Sequence, residues 1–205
     1  MRRVVKPKPN AQVYAFKREY LGELEQLSEQ RKIDLFFGDE SRVSLQPCVP
    51  YAWQFDDEQV GMPSTQGGGT NCFALLARDN RCYAHVTEAA ITAEWISEKL
   101  DALSLCLERL TVVVLDNARV HTKAVKERGA LWQERGLFVW FLPTYSPHLN
   151  LAETLWKKLK YEWLGAQDYA DKDTLHYAVR QALCAVGRSL RIQFAAAKIV
   201  ESICD

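Results

Sequence analysis

The sequence predicts an α/β fold in which amphipathic helices cover a sheet of short strands. Short apolar runs rich in β-branched and aromatic residues alternate with segments of helical periodicity. With 205 residues, the chain is long enough to bury one full α/β core. Six Trp, eight Tyr and eight Phe supply the large apolar groups for that core. The apolar runs are all too short to span a membrane.

The N-terminal half predicts one helix and several short strands. Asn10 is suited to cap a helix over residues 11–31. Its predicted inward face contains Val13, Phe16, Tyr20, Leu24 and Leu27. The predicted strands are 33–37, 43–46, 51–55, 72–77 and 82–86. The Gly-rich segment 64–71 lacks the Lys and Ser/Thr ending of a phosphate-binding loop, so it predicts a hairpin tip.

The C-terminal half alternates helices and strands more regularly. A helix is predicted over 92–107, and the apolar strand 110–115 ends at Asp116. The remaining predicted elements are a helix over 117–134, a strand over 137–142 and helices over 151–164, 172–187 and 190–203. Pro143 ends the last strand, and Gly165 ends the helix that follows it.

Charge and cysteine usage narrow the functional class. The net charge is zero, but residues 34–116 are acidic while the segments on either side are basic. This layout suits a polyanion held by the basic segments and cations recruited to the middle, although ordinary solvated faces also produce such patterns. The six cysteines form no CxxC pair, which indicates reduced thiols rather than a zinc or disulfide framework. The basic N-terminus has no apolar signal region after it, so we expect a cytoplasmic protein.

Three acids are candidates for one site. Asp39 and Asp116 each follow an apolar strand, and ligands of open α/β sheets collect at the carboxyl ends of strands. Side chains alternate along a strand, so only one of Asp39 and Glu40 can face a given site. If the two strands are parallel neighbours, their acids meet, and the helix after the last strand can deliver Glu153. Three such carboxylates need cations, and hard ions such as Mg²⁺ are their natural partners.

Glu153 also has a purely structural interpretation. Asn150 followed three residues later by Glu153 is a capping-box pattern, in which both side chains satisfy backbone donors at a helix start. Glu153 and Lys157 also form a possible i,i+4 pair. The local sequence is compatible with either role.

Three segments contain the acids and their neighbours: FFGDES, VVVLDNARVH and LPTYSPHLNLAETLWKKLK. They resemble the acidic motifs of DDE transposases, specifically the bacterial insertion-sequence branch of the mariner superfamily. The 36 residues between Asp116 and Glu153 lie inside the spacing typical of that group. The third segment is the most specific, because YSPxLN, a following acid and an LWxxLK helix rarely occur together. Leu151 and Ala152 depart from the pattern, in which Pro and Ile are common.

The resemblance implies a fold and a chemistry. The fold would be RNase H-like, a mixed five-stranded sheet flanked by helices, here with extra C-terminal helices. Residues 32–164 would form the catalytic core, after a linker and helix over 1–31 and before a helical extension over 165–205. Asp39, Asp116 and Glu153 would be the catalytic residues and would bind two Mg²⁺ or Mn²⁺ ions. The implied reaction is cleavage at transposon ends followed by attack of the freed 3′-hydroxyl on target DNA.

Four further residues are candidates by position. Asn117 and His121 follow Asp116 as in the family pattern and would orient it, with helix capping as the alternative. Lys157 and Lys160 share a helix face with Glu153 and would contact phosphates, and a solvated face explains them equally well.

The expected partners are DNA, as transposon ends and target, and by analogy a second copy of the chain. Members of the family carry N-terminal helix-turn-helix modules, and nothing before Asn10 can be one. Such a module is therefore expected, if at all, as a separate part, and the protein would work at the bacterial nucleoid. Two other functions are open: a metal-dependent nuclease or resolvase of the same fold without strand transfer, and a non-catalytic DNA-binding remnant of a transposase.

Overall fold

A computed structural model of the protein describes residues 10–47 and 67–194. Its strands are β1 (Asp34–Ser44), β2 (Gly69–Leu76), β3 (Cys82–Thr87), β4 (Thr111–Leu115) and β5 (Leu137–Phe141). Its α-helices are α1 (Ala11–Glu29), α2 (Ala93–Ser104), α3 (Arg119–Glu134), α4 (Ala152–Lys158) and α5 (Lys172–Ala185). Shorter helical turns are Pro147–Leu149 and Ala166–Tyr169, both 3₁₀, and Leu159–Trp163, a π-helical turn that continues α4.

The five strands form one mixed sheet in the order β3-β2-β1-β4-β5. β1, β4 and β5 run parallel, while β2 pairs antiparallel with β1 and with β3. Helices pack on both faces, so the predicted fold class, an RNase H-like mixed five-stranded sheet flanked by helices, is confirmed. The condition set above for Asp39 and Asp116 to meet is fulfilled, since β1 and β4 are parallel neighbours.

Alternating side chains of the strands divide the core between the two faces of the sheet. On one face, Phe36, Phe73 and Val113 pack with α2 and α3. On the other face, Phe37 packs with α1, and Ala74 packs with α4 and α5. Burial of one stripe of each helix against the sheet is the main source of stability for such an arrangement. No helix in the described ranges combines the length and apolarity needed to cross a bilayer.

The structure corrects several details of the N-terminal half. β1 is one long strand that includes the start of the predicted strand 43–46, because β2 pairs with it as far as Ser44. Of the Gly-rich segment, Gly69 to Asn71 belong to β2, while residues 64–66 lie outside the described residues. Predicted strand 51–55 lies outside the described residues.

The position of α1 and its Asn10 cap are confirmed, but of its predicted inward face only Leu24 and Leu27 reach the core. Val13 and Phe16 are 49% and 61% exposed, whereas Leu21 and Leu24 are buried. The first turns of α1 contact the end of β5 and the turn after it through polar groups: Lys17 donates to the Phe141 carbonyl, and Tyr14 bonds to His148.

At the C-terminus, residues 191–194 are not helical, which corrects the start predicted for the helix over 190–203. The rest of that helix lies outside the described residues. The four cysteines within the described ranges are free thiols, as expected: Cys72, Cys82, Cys106 and Cys184.

Candidate active site

Strand pairing brings Asp39 and Asp116 to the same end of the sheet. The last parallel pair of β1 and β4 is Phe37 with Val114, and each aspartate lies two residues beyond its member of that pair. Asp116 directly follows β4. Asp39 lies inside β1, opposite Ala74 of β2, because β1 continues past the end of β4. The expectation that Asp39 follows its strand is therefore corrected, but Asp39 still lies where the parallel pairing ends.

Glu153 reaches this end of the sheet on the first turn of α4. The chain crosses from β5 through the 3₁₀ turn Pro147–Leu149 to Asn150, whose side-chain oxygen accepts from the Ala152 amide at 3.1 Å. The reciprocal half of a capping box is missing, since the Asn150 amide bonds to the Pro147 carbonyl instead. Among the described residues, the Glu153 carboxylate has no hydrogen-bond or ion-pair partner, Lys157 included. Neither contact that the structural interpretation assigned to the Glu153 carboxylate is therefore formed with a described residue.

The three acids line one cleft of about 440 Å³. Asn117, Asn150 and the loop from Pro143 to Pro147 complete its wall. Tyr145 in that loop is exposed and has a left-handed backbone (φ 59°), which bulky residues rarely adopt.

The pKa of Asp39 reflects the several acids that lie near it. Burial, followed by the charges of Glu40, Glu153 and Asp116, raises the pKa of Asp39 to about 7. A hydrogen bond from the Trp156 indole to Asp39 Oδ2, 3.0 Å long, opposes that rise. The negative charges disfavour one another, and a cation in the cleft would relieve this repulsion.

Asp116 has a different environment. Its Oδ1 lies 2.7 Å from His121 Nδ1 and also accepts from the Ala118 amide at 2.9 Å. The hydrogen bond from His121 holds the pKa of Asp116 below its usual value. Asp116 is therefore an ionised ligand candidate, and its Oδ2 accepts no hydrogen bond from a described residue.

His121 lies between Asp116 and Glu40 with no exposed side-chain surface. Its Nε2 is 2.8 Å from Glu40 Oε2, which is an ion-pair distance without the alignment of a hydrogen bond. Burial alone would lower the pKa of His121, but the contacts with Asp116 and Glu40 outweigh it and raise the pKa to about 9. The imidazole is thus a buried cation between two carboxylates. Glu40 points away from Asp39, as side-chain alternation predicted.

Of the remaining predicted site residues, Asn117 lines the cleft, whereas Lys157 and Lys160 do not. Asn117 lines the cleft and donates to the Leu142 carbonyl at 2.7 Å, which ties the end of β4 to the end of β5. It does not cap α3, whose N-cap residue is Ala118. Lys157 is exposed and Lys160 is half-buried, and neither forms a hydrogen bond or ion pair with a described residue. Neither lysine lines the cleft.

Sequence reasoning missed two contacts that hold Asp39 in place. Trp156 was expected only as a core residue, but its indole donates to Asp39. Asn150 was expected only as a cap, but its side-chain nitrogen also donates to the Gly38 carbonyl at 3.0 Å. The available signal was spacing: Trp156 is three residues after Glu153, on the same side of the helix.

The donor set fits a divalent cation by its chemistry. The cleft offers hard carboxylate oxygens, and the Glu153 carboxylate has no partner among the described residues. These acids are not gathered into a ready cluster, since no three His, Cys, Asp or Glu groups in the described part of the chain meet the geometry of a metal site. Asp39, Asp116 and Glu153 could thus supply ligands, but they are not preassembled around an ion.

A second cavity, of about 570 Å³, lies at the opposite end of β1. Its wall contains Arg78, Arg81 and Arg109, and each of them pairs with an acid of the same cavity. These three arginines are therefore neutralised within the cavity, and the cleft with the three acids is the better candidate for chemistry.

Comparisons with known proteins give a consistent result. Residues 34–176 match a family described as DDE superfamily endonuclease. A Mos1 transposase in a paired-end complex with the left transposon end has a similar structure, with a TM-score of 0.51 and 17% identity. That match covers 90% of this chain and 63% of the Mos1 chain, so this chain spans less than two thirds of that relative.

A second solved structure, a simian T-cell lymphotropic virus intasome in complex with a PP2A regulatory subunit, has a TM-score of 0.50 at 14% identity. That match covers 74% of this chain and 47% of the matched intasome chain. At these identities the structural likenesses establish the fold. A search among curated proteins finds no match.

Proposed function

Because this chain belongs to the DDE superfamily endonucleases, we propose that it is the catalytic domain of a DNA transposase. Its reaction would be metal-dependent cleavage of DNA strands at transposon ends and transfer of the freed 3′ ends into target DNA. The catalytic and metal-binding residues would be Asp39, Asp116 and Glu153.

One observation carries the proposal: three acids from distant parts of the chain line the same cleft. β1, β4 and α4 each contribute one of them. Two of the three, Asp39 and Glu153, have no cationic side-chain partner among the described residues. Leaving acids in this state costs stability, so their presence together favours a role in binding cations over a structural role.

The residues of the cleft would divide the work. Asp39, Asp116 and Glu153 would hold two Mg²⁺ or Mn²⁺ ions, which when bound activate the attacking oxygen and stabilise the leaving oxygen. His121 and the Ala118 amide fix one oxygen of Asp116 and leave the other available. Asn117 holds the ends of β4 and β5 together beneath the cleft. In-line positioning of the DNA phosphate would supply much of the remaining catalysis.

The same proposal covers the finer assignments. The chain would belong to the bacterial insertion-sequence branch of the mariner superfamily and act at the nucleoid. Residues 32–164 would be the catalytic core, preceded by a linker and helix and followed by a helical extension. DNA would be the partner, and both the pairing of two copies and a separate helix-turn-helix module are inferred by analogy with the family. Lys157 and Lys160 would meet DNA phosphates.

Incubation of the protein with supercoiled plasmid and Mn²⁺ or Mg²⁺ tests the cleavage step. We expect nicked circles that form only with the divalent ion and that disappear in Asp116→Asn. Full activity of Asp116→Asn overturns the proposed site. Circular dichroism on the variant separates loss of chemistry from loss of fold.

A second assay tests strand transfer. An oligonucleotide with a pre-cut 3′-hydroxyl end is offered with a labelled target plasmid, and joined products are expected. Cleavage without joining would indicate a nuclease or resolvase of the same fold. No cleavage and no calorimetric binding of Mn²⁺ would indicate a non-catalytic DNA-binding protein.

A further inference from the structure

The Asp39 carboxylate is held by a tryptophan from the helix that carries Glu153. Trp156 Nε1 donates to Asp39 Oδ2 at 3.0 Å, and the Trp156 residue is only 4% exposed. From this contact we infer that Trp156 is a positioning residue, which orients the Asp39 carboxylate for metal binding. The inference rests on the function proposed above.

The chemistry of the contact suits such a role. An indole has one N–H donor and no acceptor, so it occupies one carboxylate oxygen and cannot compete for the cation. No hydrogen bond from a described residue reaches the other oxygen, Oδ1. The contact therefore fixes rotation of the carboxylate and leaves one oxygen available to an ion, as residues that support metal ligands commonly do.

The position of Trp156 links two of the three acidic segments. Glu153 and Trp156 are about one helical turn apart; Trp156 bonds to Asp39 of β1, and Glu153 lines the same cleft as Asp39. Just before α4, Asn150 donates to the carbonyl of Gly38, the residue preceding Asp39. Contacts from both ends of this turn thus hold the segment around Asp39, with Glu153 between them. Any shift of α4 would move Glu153 and the Trp156 donor together.

The fold offers a matched comparison at a second tryptophan. Trp132 of α3 is fully buried, and its Nε1 donates to Asp101 Oδ1 at 2.6 Å. This pair lies between α3 and α2, and neither residue lines the cleft. Trp132→Phe therefore removes the same kind of bond as Trp156→Phe without touching the acids.

The experiment compares the intact wild-type protein with Trp156→Phe and Trp132→Phe. Mn²⁺ affinity is measured by calorimetry without DNA, and plasmid nicking is measured as a function of Mn²⁺ concentration. We expect Trp156→Phe to weaken Mn²⁺ binding by roughly 10- to 100-fold. Saturating Mn²⁺ should restore part of the nicking rate. Trp132→Phe should lower the melting temperature but keep the wild-type Mn²⁺ affinity.

A spectroscopic measurement keeps the inference testable if Trp156→Phe does not fold. In the wild-type protein, the assigned indole ¹⁵N–¹H resonance of Trp156 should shift on addition of Mg²⁺, while that of Trp132 should not. If the wild type binds Mn²⁺ and nicks DNA, either an unmoved Trp156 resonance or wild-type Mn²⁺ affinity in Trp156→Phe overturns this inference and leaves the proposed function standing. A wild type that does neither overturns the proposed function and this inference with it.

Discussion

His121 Nδ1 lies 2.7 Å from Asp116 Oδ1, and the imidazole is completely buried. The same ring contacts Glu40 on its other side, at 2.8 Å. A buried cation between two carboxylates is stable only while both partners remain, because an unpaired buried charge costs several kcal/mol. This arrangement joins β1, the loop after β4 and α3 beneath the cleft.

Glu40→Gln should therefore lower the pKa of His121, which the two acids raise to about 9. When folding raises the pKa of a His, the His stabilises the folded protein fully at pH values below its unfolded-state pKa of about 6.5. That stabilisation is lost as the pH rises through the folded-state pKa of about 9. Glu40→Gln should reduce the free energy of unfolding by about 1–3 kcal/mol at pH 6, with little effect above pH 9. Urea unfolding across this range and NMR titration of His121 measure both effects. Glu127→Gln, which removes an exposed acid of α3, is the control, and equal behaviour of the two variants would contradict the prediction.

Asp39 should make the metal-free protein less stable as the pH rises. Its folded-state pKa of about 7 exceeds the ordinary 3.8, so the folded protein retains a proton that the unfolded chain releases. Stability should therefore fall between about pH 4 and pH 7, by at most about 4 kcal/mol. Asp39→Asn should remove this dependence, and unfolding at a series of pH values measures it. Added Mg²⁺ at pH 8 should stabilise the wild type but not the variant; a flat wild-type profile argues against the crowding of the acids.

Each of the three acids should be required for cleavage. Asp39→Asn, Asp116→Asn and Glu153→Gln are each expected to reduce plasmid nicking by at least about 100-fold, above the usual loss for a residue that only supports a ligand. Glu162→Gln, on the same C-terminal segment, removes an exposed partner of Lys158 and should leave nicking unchanged. Wild-type rates in Glu153→Gln would remove that residue from the site.

Asn150 should contribute to stability through two separate contacts. Asn150→Ala removes both the acceptor for the Ala152 amide and the donor to the Gly38 carbonyl, and should cost about 2–4 kcal/mol in the free energy of unfolding. Asn150→Asp retains an acceptor for the Ala152 amide but loses the donor to the Gly38 carbonyl. Its loss of stability should therefore come only from the contact with β1. Thermal unfolding compares the two variants, and an equal, negligible cost would show that the contact with Gly38 has no energetic weight.

The lysines of α4 and its extension should affect DNA binding through charge. Lys157 has no partner among the described residues, whereas Lys158 pairs with Glu162 at 2.6 Å. A plot of log affinity against log salt concentration has a negative slope. Lys157→Ala should make that slope shallower by about 0.9, as expected for the loss of one phosphate contact. Lys158→Ala should have a smaller effect. Fluorescence anisotropy at several salt concentrations gives the slopes, and an unchanged slope for Lys157→Ala would place that lysine outside the DNA interface.

The sequence predicted the order of the elements well because local periodicity and chain-breaking residues decide it. The apolar run that ends at Asp116 could hardly be anything but a buried strand, and the change of period after Asn150 marked the start of α4. Prediction from the sequence failed where the position of a residue depends on packing against distant parts of the chain. Phe16 has helical spacing but is exposed, and Val43 was separated from β1 because the continuous pairing with β2 leaves no mark in the local sequence.

For the candidate site, the sequence by itself determined which residue types were available and, through alternation, that Asp39 and Glu40 must face opposite sides of β1. It left open whether Glu153 caps a helix or lines a cleft, because both roles use the same spacing. Only the tertiary structure decided this, by placing α4 against the end of β1 so that Asn150 and Trp156 reach Gly38 and Asp39. Contacts between residues more than one hundred positions apart depend on how helices pack on the sheet, and periodicity within one segment carries no information about that packing.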